Sequence, residues 1–129
     1  MLGEEKWILR YDAATERIVI IAHGFATEQK SRQAGQRFVE LLGVRHVDLV
    51  VDLDAMTGYT TEARRAWQEC FYPVRAQLRR MLIVGRDIPV MIRMGATVVA
   101  AFSGIPVRYY PTLESLDAAR PEERPRTGR

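Results

Sequence analysis

Apolar residues along this chain follow two spacings, and the switches between them mark out the elements. Residues 7–11 (WILRY) alternate loosely and predict a strand, residues 12–15 a turn, and residues 17–25 (RIVIIAHGF), rich in β-branched side chains, its hairpin partner. Residues 47–53 (VDLVVDL) and 81–85 (MLIVG) are short apolar runs of the kind found in parallel strands covered on both faces. Residues 107–110 predict a last strand. Between the strands the period lengthens to that of a helix. Ala34, Phe38, Leu41 and Leu42 share one face, with Thr27 as N-cap and Gly43 as C-cap. Ala63, Ala66, Trp67, Cys70 and Phe71 share another, in a helix that opens near Thr60 after a polar link at 56–59. Pro73 should kink or end that helix, although Val74 and Leu78 keep its apolar face. Residues 88–103 form a nearly all-apolar helix with Pro89 in its first turn, and Arg93, Thr97, Ala100 and Gly104 are its expected water-facing stripe. Residues 113–119 close as a short helix. The order ββαβαβαβα predicts an α/β fold: a hairpin leading into parallel strands joined by helices.

With 129 residues the chain fits one domain, placed at 1–119, with an Arg/Pro/Glu-rich tail at 120–129 expected to be disordered. A single cysteine, Cys70, excludes an internal disulfide and suits a reducing, cytoplasmic compartment. The start, MLGEEKWILRYD, lacks the apolar core of a signal peptide. A net charge of +3 from scattered arginines gives no nucleic-acid footprint. The helix at 88–103 is shorter than the roughly 20 apolar residues of a membrane span and holds Arg93, so no span is expected. It is expected to be largely buried, with any surplus apolar face meeting a partner or a ligand. A homodimer, or a hydrophobic partner, burying part of Val90, Met94, Val98 or Phe102 is the expected outcome.

Candidate chemistry centres on residues 47–67, where a strand runs into a helix start, the place where sites gather in parallel α/β sheets. Asp52 and Asp54 resemble the first motif of haloacid-dehalogenase-type phosphatases, in which two carboxylates flank a magnesium ion; Asp87 would add a ligand. No lysine follows Lys30 to bind the phosphoryl group, and the favoured role of these acids is to accept hydrogen bonds from turn amides. His23 and His46 lack the partners of a metal site, Cys70 lies on an apolar helical face, and the glycines form no phosphate loop. No metal and no cofactor are expected.

The stretch VVDLDAMTGYTTEARRAW, the later LIVG strand and the closing VRYYPTLESLDAA resemble the STAS domain family of sulfate transporters and anti-sigma-factor antagonists, and within it the bacterial SpoIIAA-like branch. The resemblance spans about residues 7–119. It implies a small mixed β-sheet of about five strands with helices packed mainly on one side, and a non-enzymatic regulatory domain working through contacts with a protein partner. Antagonists of the family carry Asp-Ser-Ser-Gly at this helix start, with one serine phosphorylated to switch binding. Here Thr60 stands at the aspartate, Thr61 and Glu62 at the serines and Ala63 at the glycine. The acceptor position therefore holds Glu62, and Thr61 is the remaining candidate phospho-acceptor. The implied partner surface is Tyr59, Thr60, Thr61, Glu62, Arg64 and Arg65. The alternatives are a small hydrophobic ligand or lipid held under the 88–102 helix, since STAS domains resemble the lipid-binding CRAL-TRIO fold in outline, and the magnesium-dependent phosphatase.

Overall fold

The computed structural model describes residues 7–118; the expected tail at 120–129 lies outside the described residues. The elements are β1 (Ile8–Asp12), β2 (Arg17–Ala26), α1 (Glu28–Leu42), β3 (Val47–Tyr59), α2 (Thr61–Phe71), a 3-10 stretch (Tyr72–Gln77), β4 (Leu78–Val84), α3 (Val90–Phe102), β5 (Val107–Tyr110) and α4 (Leu113–Ala118). The strands form one sheet in sequence order. β1 is antiparallel to β2, and every later pair is parallel. This is the mixed five-stranded sheet expected from the sequence.

Sequential strand order dictates where the helices go. Each parallel step moves to the next strand in the same direction, and a right-handed crossover then puts every connecting helix on one face. Accordingly α1, α2 and α3 share a core with Ile18, Ile20, Leu49, Leu53, Met81 and Ile83. α4 connects no strands and covers the other face, with Leu116 and Leu113 against Val19, Val50, Leu82 and Val84. That second face also buries Arg17, Asp48 and Arg80. Buried charges persist where opposite charges meet them: Asp48 takes Arg79 at 3.3 Å and Arg80 at 3.5 Å, and Arg17 reaches Asp117 of α4 at 2.7 Å.

Local chemistry fixes the element ends. Thr27 Oγ1 accepts from the Lys30 amide at 3.2 Å, and Gly43 ends α1 at φ 51, a conformation that favours glycine. Aromatic rings bind the three-helix side together. Trp7 stacks on Trp67 with centroids 5.5 Å apart, Trp67 leans on Phe71, and Phe71 meets Phe38 edge to face at 5.2 Å.

Three expectations need correction. β3 does not end at residue 53. Residues 56–59, expected as a polar link, continue the strand and pair with β2 (Gly24 with Met56, Ala26 with Tyr59) after two register shifts. Each irregularity breaks the alternation that identifies a strand, so the extension reads as a turn. The helix does not run past Pro73. α2 stops at Phe71, Pro73 sits in the 3-10 stretch, and Leu78 begins β4 opposite Val47. A buried leucine suits either element, so its fit to the helical face carried no information. Lastly, α3 is not largely buried with one narrow water-facing stripe: Arg93 and Thr97 are exposed as expected, but Ala100 is fully buried, Gly104 lies beyond the helix, and Val90, Met91, Met94, Val98 and Phe102 are exposed as well.

Candidate functional site

The end of β3 and the start of α2 form one continuous corner. Thr60 is the N-cap: its Oγ1 accepts from the Ala63 amide at 3.0 Å, and its own amide donates to Ala26 at 3.2 Å. Ala63 and Ala66 turn into the core. Thr61, Glu62 and Arg65 are left exposed in the first turn, and half-buried Arg64 donates to Gln68 at 3.3 Å. The helix start thus presents free backbone amides and a partial positive charge beside these side chains. Of the two threonines, Thr60 spends its hydroxyl on the cap, whereas Thr61 faces solvent.

Tyr59 ties this corner to α3. Its hydroxyl donates to the Met91 carbonyl at 2.8 Å, and its ring lies against Gly95. A Cβ at Gly95 would stand 2.6 Å from the Tyr59 hydroxyl, so only glycine allows the approach. Above this strut an open groove of about 500 Å³ runs between the start of α2 and α3, bordered by Phe25, Tyr59, Thr61, Arg64, Met91 and Val98. Below it an apolar cavity of about 80 Å³ is lined by Trp7, Leu53, Met56, Tyr59, Trp67 and Ile92, among others.

The outer side of α3 is mostly apolar, and its exposed polar residues, Arg93 and Thr97, are engaged by Tyr109. The Arg93 guanidinium lies 4.1 Å over the Tyr109 ring of β5, and Thr97 Oγ1 bonds the Tyr109 hydroxyl. Val90, Met91, Met94, Val98 and Phe102 stay exposed, Val90 by 70% and Met91 by 66%. Phe25, at the groove's edge, is 48% exposed.

Of the other candidates, Asp52, Asp54 and Cys70 are engaged within the fold, while His46 and Asp87 are exposed. Asp52 Oδ1 accepts from the Asp54 amide at 3.0 Å, and Asp54 Oδ1 accepts from the Arg86 amide at 2.9 Å, pinning the turn between β4 and α3. His23 contributes its carbonyl to the Trp7 indole N–H at 3.0 Å. The Cys70 thiol lies 3.6 Å from the Gly35 carbonyl, where burial pushes its pKa up to about 12 and keeps it protonated. Among the described residues no three His, Cys, Asp or Glu side chains gather as a metal site, and no helix is long and apolar enough to cross a membrane.

No protein-family model and no curated protein matches the chain. Solved structures do. A protein of the DUF3478 family from Shewanella loihica, described as having a SpoIIAA-like fold, superposes with a TM-score of 0.68 at 13% identity, covering 87% of this chain and 90% of its own. The anti-sigma factor antagonist SpoIIAA in its unphosphorylated form superposes with a TM-score of 0.56 at 13% identity, covering 88% of this chain and 97% of its own. The chain has the SpoIIAA-like fold.

Within this SpoIIAA-like frame, the six residues expected from the sequence, Tyr59 to Arg65 without Ala63, fall on one corner. The groove residues Phe25 and Met91 were not identified from the sequence. Val98 was named there with Val90, Met94 and Phe102 as apolar surface expected to meet a partner, and all four are exposed.

Proposed function

We propose that this SpoIIAA-like domain is regulatory and non-enzymatic, acting by contact with a protein partner through the corner formed by Tyr59, Thr60, Thr61, Glu62, Arg64 and Arg65. The observation that carries this reading is the exposed first turn of α2 standing beside an uncovered apolar helix face, a combination that marks contact surfaces. One of the similar structures is an anti-sigma factor antagonist, and an antagonist-like role fits. The backbone bonds taken by Asp52 and Asp54 support their structural role over a phosphatase.

Glu62 puts a permanent negative charge in the first turn, where the helix amides favour anions by about 0.3–1 kcal/mol. The domain is therefore held in one binding state and is not switched by phosphate at position 62. Thr61 is the remaining acceptor, and intact-mass analysis of protein from its native cells should find no phosphate there. The direct test is capture of the partner by wild type and by a Thr61→Glu/Arg65→Glu variant. Loss of capture with an unchanged melting curve supports the reading; undiminished capture contradicts it.

A second reading is favoured by the apolar cavity of about 80 Å³ under α3: a small hydrophobic ligand held between Trp67 and Ile92. Native mass spectrometry of freshly purified protein checks it. A bound small molecule supports it, and a bare chain mass opposes it.

A further inference from the structure

We propose that the groove between α2 and α3 receives an amphipathic helix of a partner protein, its apolar side on α3 and its acidic residues toward Arg64. This deepens the reading above and rests on it. The groove has two unlike walls. On α3, Met91, Met94 and Val98 recur at helical spacing over about 10 Å, or about two turns, and exposed Phe102 continues the stripe beyond the groove. Methionines in such a wall adapt to varied apolar surfaces. On α2 the wall is polar: exposed Thr61, then Arg64 bonded to Gln68, a neutral acceptor.

Charge selects the occupant. Among the described residues Arg17, Arg32, Arg79 and Arg80 form ion pairs, whereas Arg64, Arg65, Arg75 and Arg86 form none. Arg64 stands at the groove's near end. Beyond the groove, at the last residue of α3, Phe102 meets Tyr72 with centroids 5.6 Å apart, and Tyr72 carries Arg75 at 3.9 Å. A two-fold pairing of two copies along α3 would set arginine against arginine in either orientation, which disfavours self-association. An acidic partner meets unpaired guanidiniums instead. Shape selects its form. The two flanking walls are helices, and the ridge of a third helix fits the groove between them, its own main-chain hydrogen bonds already made.

The test uses the whole chain and a display library of helical hairpins with one randomised outer face. Selection on wild type should enrich faces with apolar residues at i, i+3 or i+4, and i+7, flanked by Asp or Glu. Binding should weaken with salt and fall about tenfold or more for Arg64→Glu and for Met94→Asp/Val98→Asp, both checked for an unchanged melting curve. Enrichment of basic or stripe-free faces overturns the proposal. So does binding indifferent to Met94→Asp/Val98→Asp; if that binding is still lost with Thr61→Glu/Arg65→Glu, the corner survives as a contact and the groove does not. No enrichment at all counts against both. Two parallel arms overturn it in favour of other occupants: a dimer mass by light scattering that reverts to monomer in Met94→Asp/Val98→Asp, or Met94-dependent sedimentation with phosphatidylglycerol vesicles.

Discussion

α1 and α3 are helices of 15 and 13 residues that bury one side against the same face of the same sheet, yet their outer sides differ. α1 turns Glu28, Gln29, Arg32, Gln33, Gln36, Arg37 and Glu40 to water, with Arg32 paired to Glu28 at 3.0 Å and to Glu69 of α2 at 3.2 Å. Its start is capped by the Thr27 side chain. α3 starts at Pro89 with no side-chain cap and turns Val90, Met91, Met94, Val98 and Phe102 outward. Covering this sheet therefore does not require an apolar exterior, since α1 covers it with a polar one. The apolar exterior of α3 is not needed to cover the sheet, and the proposed contact rests on that surplus.

The largest effects should fall on the inner sides, where the two helices are alike. Phe38→Ala in α1 should cost about 3–5 kcal/mol and Ile92→Ala in α3 about 2–5 kcal/mol, read by urea denaturation. A negligible loss at Ile92 would mean that α3 is not a true core helix, and the comparison would break there.

Next come the close approaches. Gly95→Ala drives a methyl into Tyr59, while Gly35→Ala meets only the Cys70 sulfur at 3.2 Å. Over-packing at Gly95 should cost about 1–3 kcal/mol and loosen the β3–α3 strut. Gly35→Ala should cost less, because alanine also favours the helix. Thermal melts of the two variants rank them, and a larger loss at Gly35 would contradict the strut.

The outer sides should show the smallest stability effects. Met94→Asp/Val98→Asp in α3 and Arg32→Ala in α1 should each stay within about 0.5 kcal/mol of wild type. Only the α3 change should weaken partner binding.

A pH experiment sharpens the account of the α1–α2 contact. Burial raises the Cys70 pKa from 9.0 to about 12. For a raised acid the unfolded chain ionises first, so its contribution is intact below pH 9 and is lost as pH climbs toward 12. The melting temperature of wild type should fall more steeply over that window than that of Cys70→Ala. Equal slopes would show that the thiol is not buried as described.

Much of this was legible in the chain. β5 lies at the residues expected, and Thr27 and Gly43 cap α1 as their chemistry predicts. The corner from Tyr59 to Arg65 was located by an apolar run followed by helical spacing. What escaped depends on distant residues. The far end of β3 was hidden by its shifted register with β2. On α3 the exposed Val90, Met94, Val98 and Phe102 were named from the sequence, whereas the burial of Ala100 and the contacts of Arg93 and Thr97 with Tyr109 were not. The buried pair of Asp48 and Arg80 joins neighbouring strands whose register no local pattern reveals.

The most direct test compares the two exteriors in the cell. A photo-crosslinking amino acid placed at Met94 of α3, or at Val39, the half-exposed apolar residue of α1, would be activated in the protein's native host. The account predicts a discrete adduct with another protein from position 94 and none from position 39. No adduct at 94, or the same adducts from both positions, would contradict it.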